Sequence, residues 1–241
     1  MNGLRGTQAF EKEAAALLSR TNLFADLDED ALRGLAGLSA VQTYAKGETV
    51  FGQGDPGDAL YVVMAGEVKV HVESSSGDEM VLVTLRTPDV FGELALVDGR
   101  PRSASVEALV PTSLLSIARE GFLLLAHNPD VAELLFKTLG AIVRRLTEQA
   151  SDLVFLDLYG RVAKLIVGLA AERGEPTPEG ICVDLHVTQT DLAGMVGGSR
   201  QSVNQILRAF ERRDYVDLDG RRVTVKRPEL LKKRAGLLTS T

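Results

Sequence analysis

The chain has 241 residues, 45% of them hydrophobic and 25% charged, which is the composition of a globular protein with room for one large or two ordinary domains. No apolar run reaches the length of about 18 residues that a membrane span requires, so the sequence predicts no transmembrane helix and no membrane partner. Cys182 is the single cysteine, which excludes an internal disulfide and disfavours an iron–sulfur cluster. Residues 1–9 lack the layout of a secretory signal, and we therefore expect a cytoplasmic protein.

The charge is distributed unevenly along the chain. From Arg161 onward there are 14 Lys and Arg against 10 Asp and Glu, a net charge of +4, whereas the preceding part has 13 against 23, a net charge of −10. The overall net charge of −6 hides this asymmetry. A basic C-terminal part is where we expect any polyanion to bind.

The N-terminal part of the sequence changes from a helical to a strand period near Val41. Within residues 1–40 apolar residues recur at three- and four-residue steps, which predicts two helices, the second capped by Asp26 or Asp28. The short β-rich runs separated by glycines that follow are typical of a barrel or jelly roll. In one run, valines alternate with polar residues, so we expect a strand with a half-exposed polar face: Glu67, Lys69 and His71.

Residues 91–106 carry the most informative pattern, a short turn of small and charged residues between two apolar runs. Gly92 permits a backbone bend, and small neighbours such as Ala95 let exposed N–H groups approach a ligand. Arg102 offers a fork of donors suited to anionic oxygens, and an ionised Glu93 accepts hydrogen bonds from hydroxyls. This pair predicts a site for a sugar phosphate, the alternative being a hairpin with a surface Glu–Arg ion pair.

The order G-E-L-A-L…P-R-S-A in this stretch resembles the phosphate-binding cassette of cyclic-nucleotide-binding domains. The resemblance implies that Glu93 holds the ribose 2′-hydroxyl and that Arg102 binds the exocyclic phosphate oxygens. It also implies that four neighbouring residues complete the cradle: Gly92, Leu94, Ala95 and Ser103. The glycine pattern of residues 54–61 and 65–68 is similar to the β-roll of the same family, so the resemblance covers roughly residues 20–125.

A long helix is predicted after Asn128-Pro129, with a seam of mostly apolar residues at alternating three- and four-residue steps: Leu135, Leu139, Ile142, Leu146, Gln149 and Leu153. Such a seam predicts a parallel dimer, the alternative being a helix packed on its own domain. The resemblance implies that this helix also closes the nucleotide pocket and that residues 146–147 meet the base. Thr147 offers a hydroxyl to a base edge and Leu146 does not. The implied allosteric ligand is cAMP, in preference to cGMP.

Asp157–Gly160 is typical of a hinge, residues 161–172 of an amphipathic helix, and residues 181–187 of a short strand. Thr188 is placed to cap a helix that ends at Gly197-Gly198, and a second helix covers residues 199–210. These two helices predict a helix-turn-helix, the alternative being an αα-hairpin without a role in nucleic-acid binding. The start of the second helix favours base contact because it is polar: Ser199, Arg200, Gln201, Ser202 and Gln205.

This region resembles the winged-helix domain of CRP/FNR regulators, whose recognition helix begins with a similar Ser-Arg-x-Ser/Thr-Val phrase. The resemblance implies that Arg200 binds a guanine through its two major-groove acceptors. Gln201 stands where CRP carries Glu, and its amide suits adenine; Gln205 stands where CRP carries a basic residue. We therefore expect an operator that differs from that of CRP.

Four further residues are expected to contact DNA. Thr188 and Gln189 lie at the start of the first helix, and Arg221 and Arg222 lie in a predicted hairpin with an Asp-Gly turn. The two arginines would meet phosphates and add affinity that depends on salt.

The predicted fold class is α+β, with a double-stranded β-roll (jelly-roll) sensor domain, a long dimerisation helix and a C-terminal winged helix-turn-helix domain. We expect N-terminal helices and the nucleotide-binding β-roll in residues 1–128, the dimerisation helix in 129–157 and the DNA-binding domain in 158–241. The predicted function is that of a cyclic-nucleotide-responsive, sequence-specific transcription regulator. It would act as a homodimer on palindromic operators in double-stranded DNA, with RNA polymerase as a further partner.

Two alternatives stay open. One is a ligand-independent DNA-binding regulator with a vestigial pocket, which Leu146 favours and the intact Glu93–Arg102 pair opposes. The other is a nucleotide-gated regulatory protein that acts through protein contacts. The sequence shows no nucleophile–base pair, metal-ligand cluster or Walker-type loop, so we expect no enzyme, no metal and no haem.

Overall fold

The structure, a computed structural model, describes residues 2–75, 77, 79–126 and 129–237. It divides into two compact units, the first formed by Met1–Val72 and Leu82–Arg144, the second by Glu73–Val81 and Arg145–Thr241. The domain boundaries predicted at 128/129 and 157/158 stay predictions, and residues 127 and 128 lie outside the described residues.

Two helices precede the sheets of the first unit. Helix α1 spans Asn2–Leu18 and α2 spans Glu29–Gly37. Of the two predicted caps, Asp28 begins α2, because its carboxylate accepts a hydrogen bond of 2.7 Å from the backbone N–H of Ala31.

The described strands of this unit form a β-roll of two four-stranded sheets. One sheet has the order β1 (Ser39–Tyr44), β8 (Thr112–Ala118), β3 (Ala59–Ala65) and β6 (Val90–Phe91). The other has the order β2 (Thr49–Phe51), β7 (Ser105–Ala108), β4 (Glu67–Glu73) and β5 (Glu79–Arg86). Strand β3 pairs antiparallel with both neighbours, and Tyr61 at its centre lies opposite Ser116 and Phe91. Two short helices complete the chain order: α3 (Leu94–Asp98) and α4 (Arg119–Ala126).

Two apolar clusters lie on opposite sides of β3. Leu60 belongs to the cluster that joins the helices to the sheet, with Leu18, Phe24, Leu35, Leu115, Ile117 and Phe122. Tyr61 belongs to the cluster inside the roll, with Val63, Val68, Phe91, Val106 and Leu114. Successive strand residues face opposite sides of a sheet, so both clusters follow from one strand. Each fully buried large side chain stabilises the fold by about 1.5–3 kcal/mol.

Strand β4 differs from the expectation drawn from its alternation. Its polar residues are as buried as its valines, with Glu67 4%, Lys69 6% and His71 5% exposed. The Lys69 ammonium lies 3.5 Å from the carboxylate of Glu107, its cross-strand neighbour on β7. The prediction of a half-exposed polar face is therefore wrong. Alternation assigns residues to two faces, but both faces of this strand are covered.

Helix α5 spans Pro129–Phe155 and carries an apolar stripe that is largely exposed, with Leu139 half-buried. Phe136 is 74% and Val143 61% exposed, and the sequence analysis placed neither in its seam. Ile142 and Gln149, which that seam included, are half-buried. The stripe, called the α5 stripe below, repeats at three- and four-residue steps: Phe136, Leu139, Val143, Leu146, Ala150 and Leu153. Among the described helices, none is both long enough and apolar enough to cross a bilayer.

The second unit contains a winged helix-turn-helix. Its helices are α6 (Leu158–Arg173), α7 (Gln189–Val196), α8 (Arg200–Arg212) and α9 (Pro228–Arg234). Its strands lie in the order β11 (Val216–Asp219), β12 (Arg222–Val225), β10 (Gly180–Asp184) and β9 (Glu175–Thr177). The predicted α+β class, with its β-roll and winged helix-turn-helix, is confirmed.

Two predicted boundaries in this unit are wrong. Residues Leu158–Gly160 belong to α6, because Asp157 caps this helix by accepting a hydrogen bond of 2.8 Å from the Gly160 N–H, so the break between α5 and α6 falls at Leu156 and Asp157. That this break acts as a hinge stays a prediction. Strand β10 ends at Asp184 rather than at Val187, because His186 adopts a left-handed backbone with φ of 51°.

Candidate functional site

The cassette begins between β6 and α3, where Gly92 adopts a left-handed backbone conformation. Gly92 has φ of +83°, and a Cβ there would lie 2.8 Å from Nη1 of Arg102. Only glycine adopts this conformation without cost and leaves the guanidinium its space. The structure thus brings the start of α3 and the Arg102 side chain together at Gly92.

Arg102 is 3% exposed and is fixed by backbone carbonyls. Nη1 donates to the carbonyl of Gly92 at 2.8 Å, and Nη2 donates to that of Ala59 at 2.7 Å. The guanidinium carbon lies 4.1 Å above the ring centroid of Phe51, a cation–π contact. Burial raises the pKa of the nearby Tyr61 hydroxyl, and the positive charge of Arg102 partly offsets this effect.

One donor of this buried guanidinium has no partner in the part of the chain that the structure describes. Nε of Arg102 is inaccessible to solvent and makes no hydrogen bond. An unsatisfied buried donor costs about 1–3 kcal/mol, more when the group is charged. An anionic oxygen is an acceptor that would remove this cost, and the Asp58 carboxylate already lies 3.6 Å from Nη2. The binding of phosphate by Arg102 stays a prediction.

The remaining cassette residues form a small, closely packed turn. A Cβ at Gly57 would overlap the methyl group of Ala95, so Gly57 and Ala95 allow this approach only because both are small. Glu93 is 7% exposed, Leu94 is half-buried and Ser103 is exposed. The Leu94 and Ala95 N–H groups, in the first turn of α3, have no acceptor within the helix. These N–H groups and Arg102 provide donors for an anion, while Glu93 provides an acceptor.

Thr147, the predicted base-reading residue, lies on α5 in the second unit and is exposed. Its neighbour Leu146 belongs to the α5 stripe and is 45% exposed. The contact of Thr147 with a base stays a prediction.

The helix-turn-helix is organised by two caps that engage residues predicted to contact DNA. The Thr188 hydroxyl donates to Asp191 Oδ2 at 2.6 Å and accepts from the Asp191 N–H at 3.1 Å, as predicted for a capping residue. The contact of Thr188 with DNA stays a prediction. The Ser199 hydroxyl accepts from the Ser202 N–H at 3.1 Å and lies 2.8 Å from the Ser202 hydroxyl.

Helix α8 presents one polar face to solvent. Its buried side consists of Val203, Ile206, Leu207, Ala209 and Phe210, and Phe210 contacts the rings of Tyr159 and Tyr215. Arg200, Gln201 and Gln205 are exposed on the other side. Long polar side chains at the start of an exposed helix match the geometry by which recognition helices meet base edges.

The wing places Arg221 and Arg222 at its tip. Asp219 pairs with Arg222 across β11 and β12, so Gly220 and Arg221 form the turn, and Gly220 has φ of +59°. Both arginines are exposed.

At the base of the wing, the Lys226 ammonium lies 3.1 Å and the Arg227 guanidinium 3.7 Å from the carboxylate of Asp214. The hydrogen bond to Asp214 raises the pKa of Lys226.

Two contacts of the helix-turn-helix were missed by the sequence analysis. Arg161 donates to the carbonyls of Val196 (Nε, 2.7 Å) and Leu156 (Nη1, 2.8 Å), joining the end of α7 to the segment before α6. Asn204 donates to Gln189 Oε1 at 3.1 Å. Helical spacing from Gln201 places Asn204 on the polar face of α8, but no sequence signal indicates the carbonyl partners of Arg161.

Across the described ranges, no group of three or more His, Cys, Asp and Glu side chains has the arrangement of a metal site. The donors and acceptors described above belong to a buried candidate site for an anion and to an exposed polar helix.

Comparison with known proteins agrees with both sites. The family model described as cyclic nucleotide-binding domain matches residues 41–128, and that described as Crp-like helix-turn-helix domain matches residues 160–234. The CRP-like cAMP-activated global transcriptional regulator of Mycobacterium tuberculosis is 32% identical over 91% of this chain and 98% of its own length.

Two solved structures share the fold. FixK2 from Bradyrhizobium japonicum has a TM-score of 0.74 at 19% identity, over 84% of this chain and 99% of its own. The c-di-GMP responsive global regulator CLP from Xanthomonas campestris has a TM-score of 0.72 at 25% identity, over 82% of this chain and 99% of its own.

These matches span both units, and the curated relatives are transcription regulators rather than enzymes. The chain is a cyclic-nucleotide-binding and DNA-binding regulator, and it belongs to the CRP/FNR family.

Proposed function

We propose that this protein is a transcription regulator that binds cAMP through the cassette and, as a homodimer, binds palindromic operators through α8. Glu93 would accept the ribose 2′-hydroxyl, and Arg102 with the Gly92–Ala95 backbone and Ser103 would bind the cyclic phosphate. Thr147 would meet the base. Arg200, Gln201 and Gln205 would read bases. RNA polymerase is the further partner, and the cytoplasm the location, that this function implies.

The observation that carries the nucleotide proposal is the buried Arg102 with its unsatisfied Nε. Two carbonyls and the Phe51 ring already hold the guanidinium in place, so binding an anion requires little loss of side-chain entropy. The relative from M. tuberculosis is described as cAMP-activated, which supports cAMP as the ligand. The CLP structure is described as c-di-GMP responsive, so c-di-GMP is a necessary competitor in any test.

The nucleotide is identified by calorimetric titration of the full-length protein with cAMP, cGMP and c-di-GMP. We expect cAMP to bind with a Kd of about 1 μM or lower, corresponding to about −8 kcal/mol or stronger binding. In the Arg102→Ala variant the charge-assisted hydrogen bond that Nε would donate to phosphate is lost, which should weaken binding by about 1.5–3 kcal/mol, or roughly ten- to a hundredfold. Tighter binding of cGMP or c-di-GMP would refute the assignment of cAMP.

Two variants control for structure. Arg102→Ala also removes the hydrogen bonds to Gly92 and Ala59, so Glu93→Gln provides an independent test that keeps them. Arg100→Ala removes the same charge from an exposed position of the same loop and should leave affinity unchanged. Absence of heat with every nucleotide, together with intact DNA binding, would favour the ligand-independent regulator.

The homodimer proposal rests on the α5 stripe. Its steps of three and four residues are those of a coiled-coil seam, and exposed Phe136 and Val143 would be buried by a second copy. We expect Val143→Asp to shift the protein from dimer to monomer in sedimentation velocity. Ala141→Asp, which places the same charge on the opposite face of α5, should remain dimeric. A monomeric wild-type protein with bound nucleotide would refute the proposal.

A two-fold dimer would favour palindromic operators, because its two copies of α8 would enter successive major grooves about 34 Å apart. Binding of nucleotide and of operator must affect each other by the same factor. Anisotropy titrations with a duplex selected from a randomised pool, with and without cAMP, measure this factor. A factor of one, despite binding of both ligands, would exclude the allosteric switch.

A further inference from the structure

The amide side chains of α7 and α8 form one direct contact. Asn204 Nδ2 donates to Gln189 Oε1 at 3.1 Å, and both residues are half-buried. Gln189 is the first residue of α7, and Asn204 lies within α8. The hydrogen bond therefore joins the start of the first helix of the motif to the middle of the second.

This contact determines which way the Gln189 amide points. Its oxygen is engaged by Asn204, so its Nε2, with two protons, is directed away from that bond. The Thr188 hydroxyl beside it has already donated its proton to Asp191. Gln189 Nε2 is consequently the side-chain donor that these two residues at the start of α7 offer to a ligand.

Asn204 lies on the polar face of α8 but is less exposed than its neighbours there. It lines a concave cavity of about 360 Å³ together with Gln201, Gln205, Arg208 and Arg212. Those four residues are exposed, whereas Asn204 is half-buried. Among the four, the Arg208 guanidinium donates a hydrogen bond of 2.8 Å to Glu211. The Nδ2 group of Asn204 donates its hydrogen bond to Gln189 within the protein.

We propose that Asn204 is a positioning residue, which holds the Gln189 amide so that Gln189 Nε2 donates to a backbone phosphate of the operator. In helix-turn-helix complexes the first helix crosses the sugar–phosphate backbone while the second enters the groove, so the group facing α7 is a phosphate oxygen. An amide fixed with its nitrogen outward suits that acceptor. The inference rests on the proposed DNA-binding function.

A double-mutant cycle tests the coupling. Operator affinity is measured by fluorescence anisotropy on the full-length protein with saturating nucleotide, using the duplex selected with the wild-type protein. We expect Gln189→Ala to weaken binding about ten- to a hundredfold, the effect of one hydrogen bond to a charged group. Asn204→Ala should cause a similar loss, and the double variant should lose no more than either single variant.

A second readout separates phosphate contact from base reading. Loss of a phosphate contact weakens binding equally for all duplexes, whereas loss of a base contact changes the preference at one position. We expect Gln189→Ala and Asn204→Ala to weaken a panel of single-base operator variants by the same factor. Gln205→Ala, a matched control on the same face, should instead relax preference at one base pair.

The Asn204→Asp variant tests the orientation itself. The introduced carboxylate accepts from Gln189 Nε2, which turns the amide and directs its oxygen at the phosphate. The penalty for Asn204→Asp should therefore be larger when Gln189 is present than in the Gln189→Ala background, where only charge repulsion remains. Equal penalties in both backgrounds would overturn the proposal.

The other outcomes are equally decisive. Additive losses in the Ala cycle, or a changed base preference in Asn204→Ala, would show that Asn204 does not act through Gln189. Thermal unfolding of each variant excludes loss of fold as the cause. A wild-type protein that selects no duplex would refute the DNA-binding function itself, whereas selective binding with an additive cycle would refute the positioning role alone.

Discussion

The Arg161 contacts allow a quantitative prediction about the helix-turn-helix. Arg161 Nε donates to the Val196 carbonyl at 2.7 Å and Nη1 to the Leu156 carbonyl at 2.8 Å, while the Nη2 contact with Gly197 is at 3.4 Å. A hydrogen bond from a charged group contributes about 1.5–3 kcal/mol, and the long contact adds little. Because the two short bonds are only partly buried, the lower end applies, and Arg161→Ala should cost about 3 kcal/mol locally.

Hydrogen exchange measures this loss where it occurs. The N–H groups of Gly197 and Gly198 both donate to the Ala193 carbonyl at the end of α7. Of the two short bonds, only the one to Val196 holds the end of α7, so removal of Arg161 should accelerate exchange of these two amides about tenfold, since each 1.36 kcal/mol corresponds to a factor of ten. Arg161→Lys retains one donor group and should give a smaller increase.

The control is Lys164→Ala, on the same helix. Lys164 forms an ion pair of 2.6 Å with Asp152, both side chains being partly exposed, and its loss should cost about 0.5–1 kcal/mol without reaching the α7 turn. Unchanged exchange at Gly197 and Gly198 in Arg161→Ala would refute the reasoning. An equal increase in Lys164→Ala would show general loosening instead.

Two further predictions concern the cassette and the start of α6. Gly57→Ala should destabilise the protein by about 1–3 kcal/mol in thermal unfolding, because the new methyl group overlaps that of Ala95. The control is Gly34→Ala, which has open space around it and should stabilise α2 slightly. A Gly57→Ala variant as stable as the wild type would contradict this packing. The hydrogen bond from the Gly160 N–H lowers the pKa of Asp157, so its carboxylate stabilises the fold above about pH 4 and that contribution is lost as pH falls through the lowered pKa. Asp157→Asn, which still caps a helix, should therefore be less stable than wild type at neutral pH, with a difference that shrinks in acid; a difference independent of pH would exclude the charge effect.

Features set by neighbouring residues were predictable from sequence. Thr188 was identified as a cap, and Asp28 was one of two candidates together with Asp26, because a short polar side chain before an apolar helical pattern bonds to an N–H only a few residues away. Gly92 was predicted as a bend and Gly197 as the end of a helix, and both have positive φ in the structure. Such signals need no knowledge of the rest of the fold.

Features that depend on residues distant in the chain could not be predicted from sequence. Arg102 donates to Ala59, which is 43 positions away, and stacks on Phe51 of another strand. The burial of Lys69 depends on what covers β4, which its alternation does not specify. Likewise, helical periodicity predicted a seam on α5 that includes Ile142, whereas in the structure Ile142 is half-buried and the adjacent Val143 is exposed. Which of these rows faces a second copy depends on packing that periodicity does not specify, so the predicted seam stays a prediction.

Asp214, in the turn between α8 and β11, bears on how the proposed operator binding would depend on salt. Each phosphate neutralised by a free cation releases condensed counterions, so the logarithm of the binding constant falls with the logarithm of salt concentration by about 0.9 per phosphate. Lys226 and Arg227 are paired with Asp214, so a phosphate that they contacted would replace a carboxylate partner. We therefore expect fewer ions to be released on operator binding than the count of basic residues in the C-terminal part suggests. In that case one acidic residue would make the complex less sensitive to ionic strength.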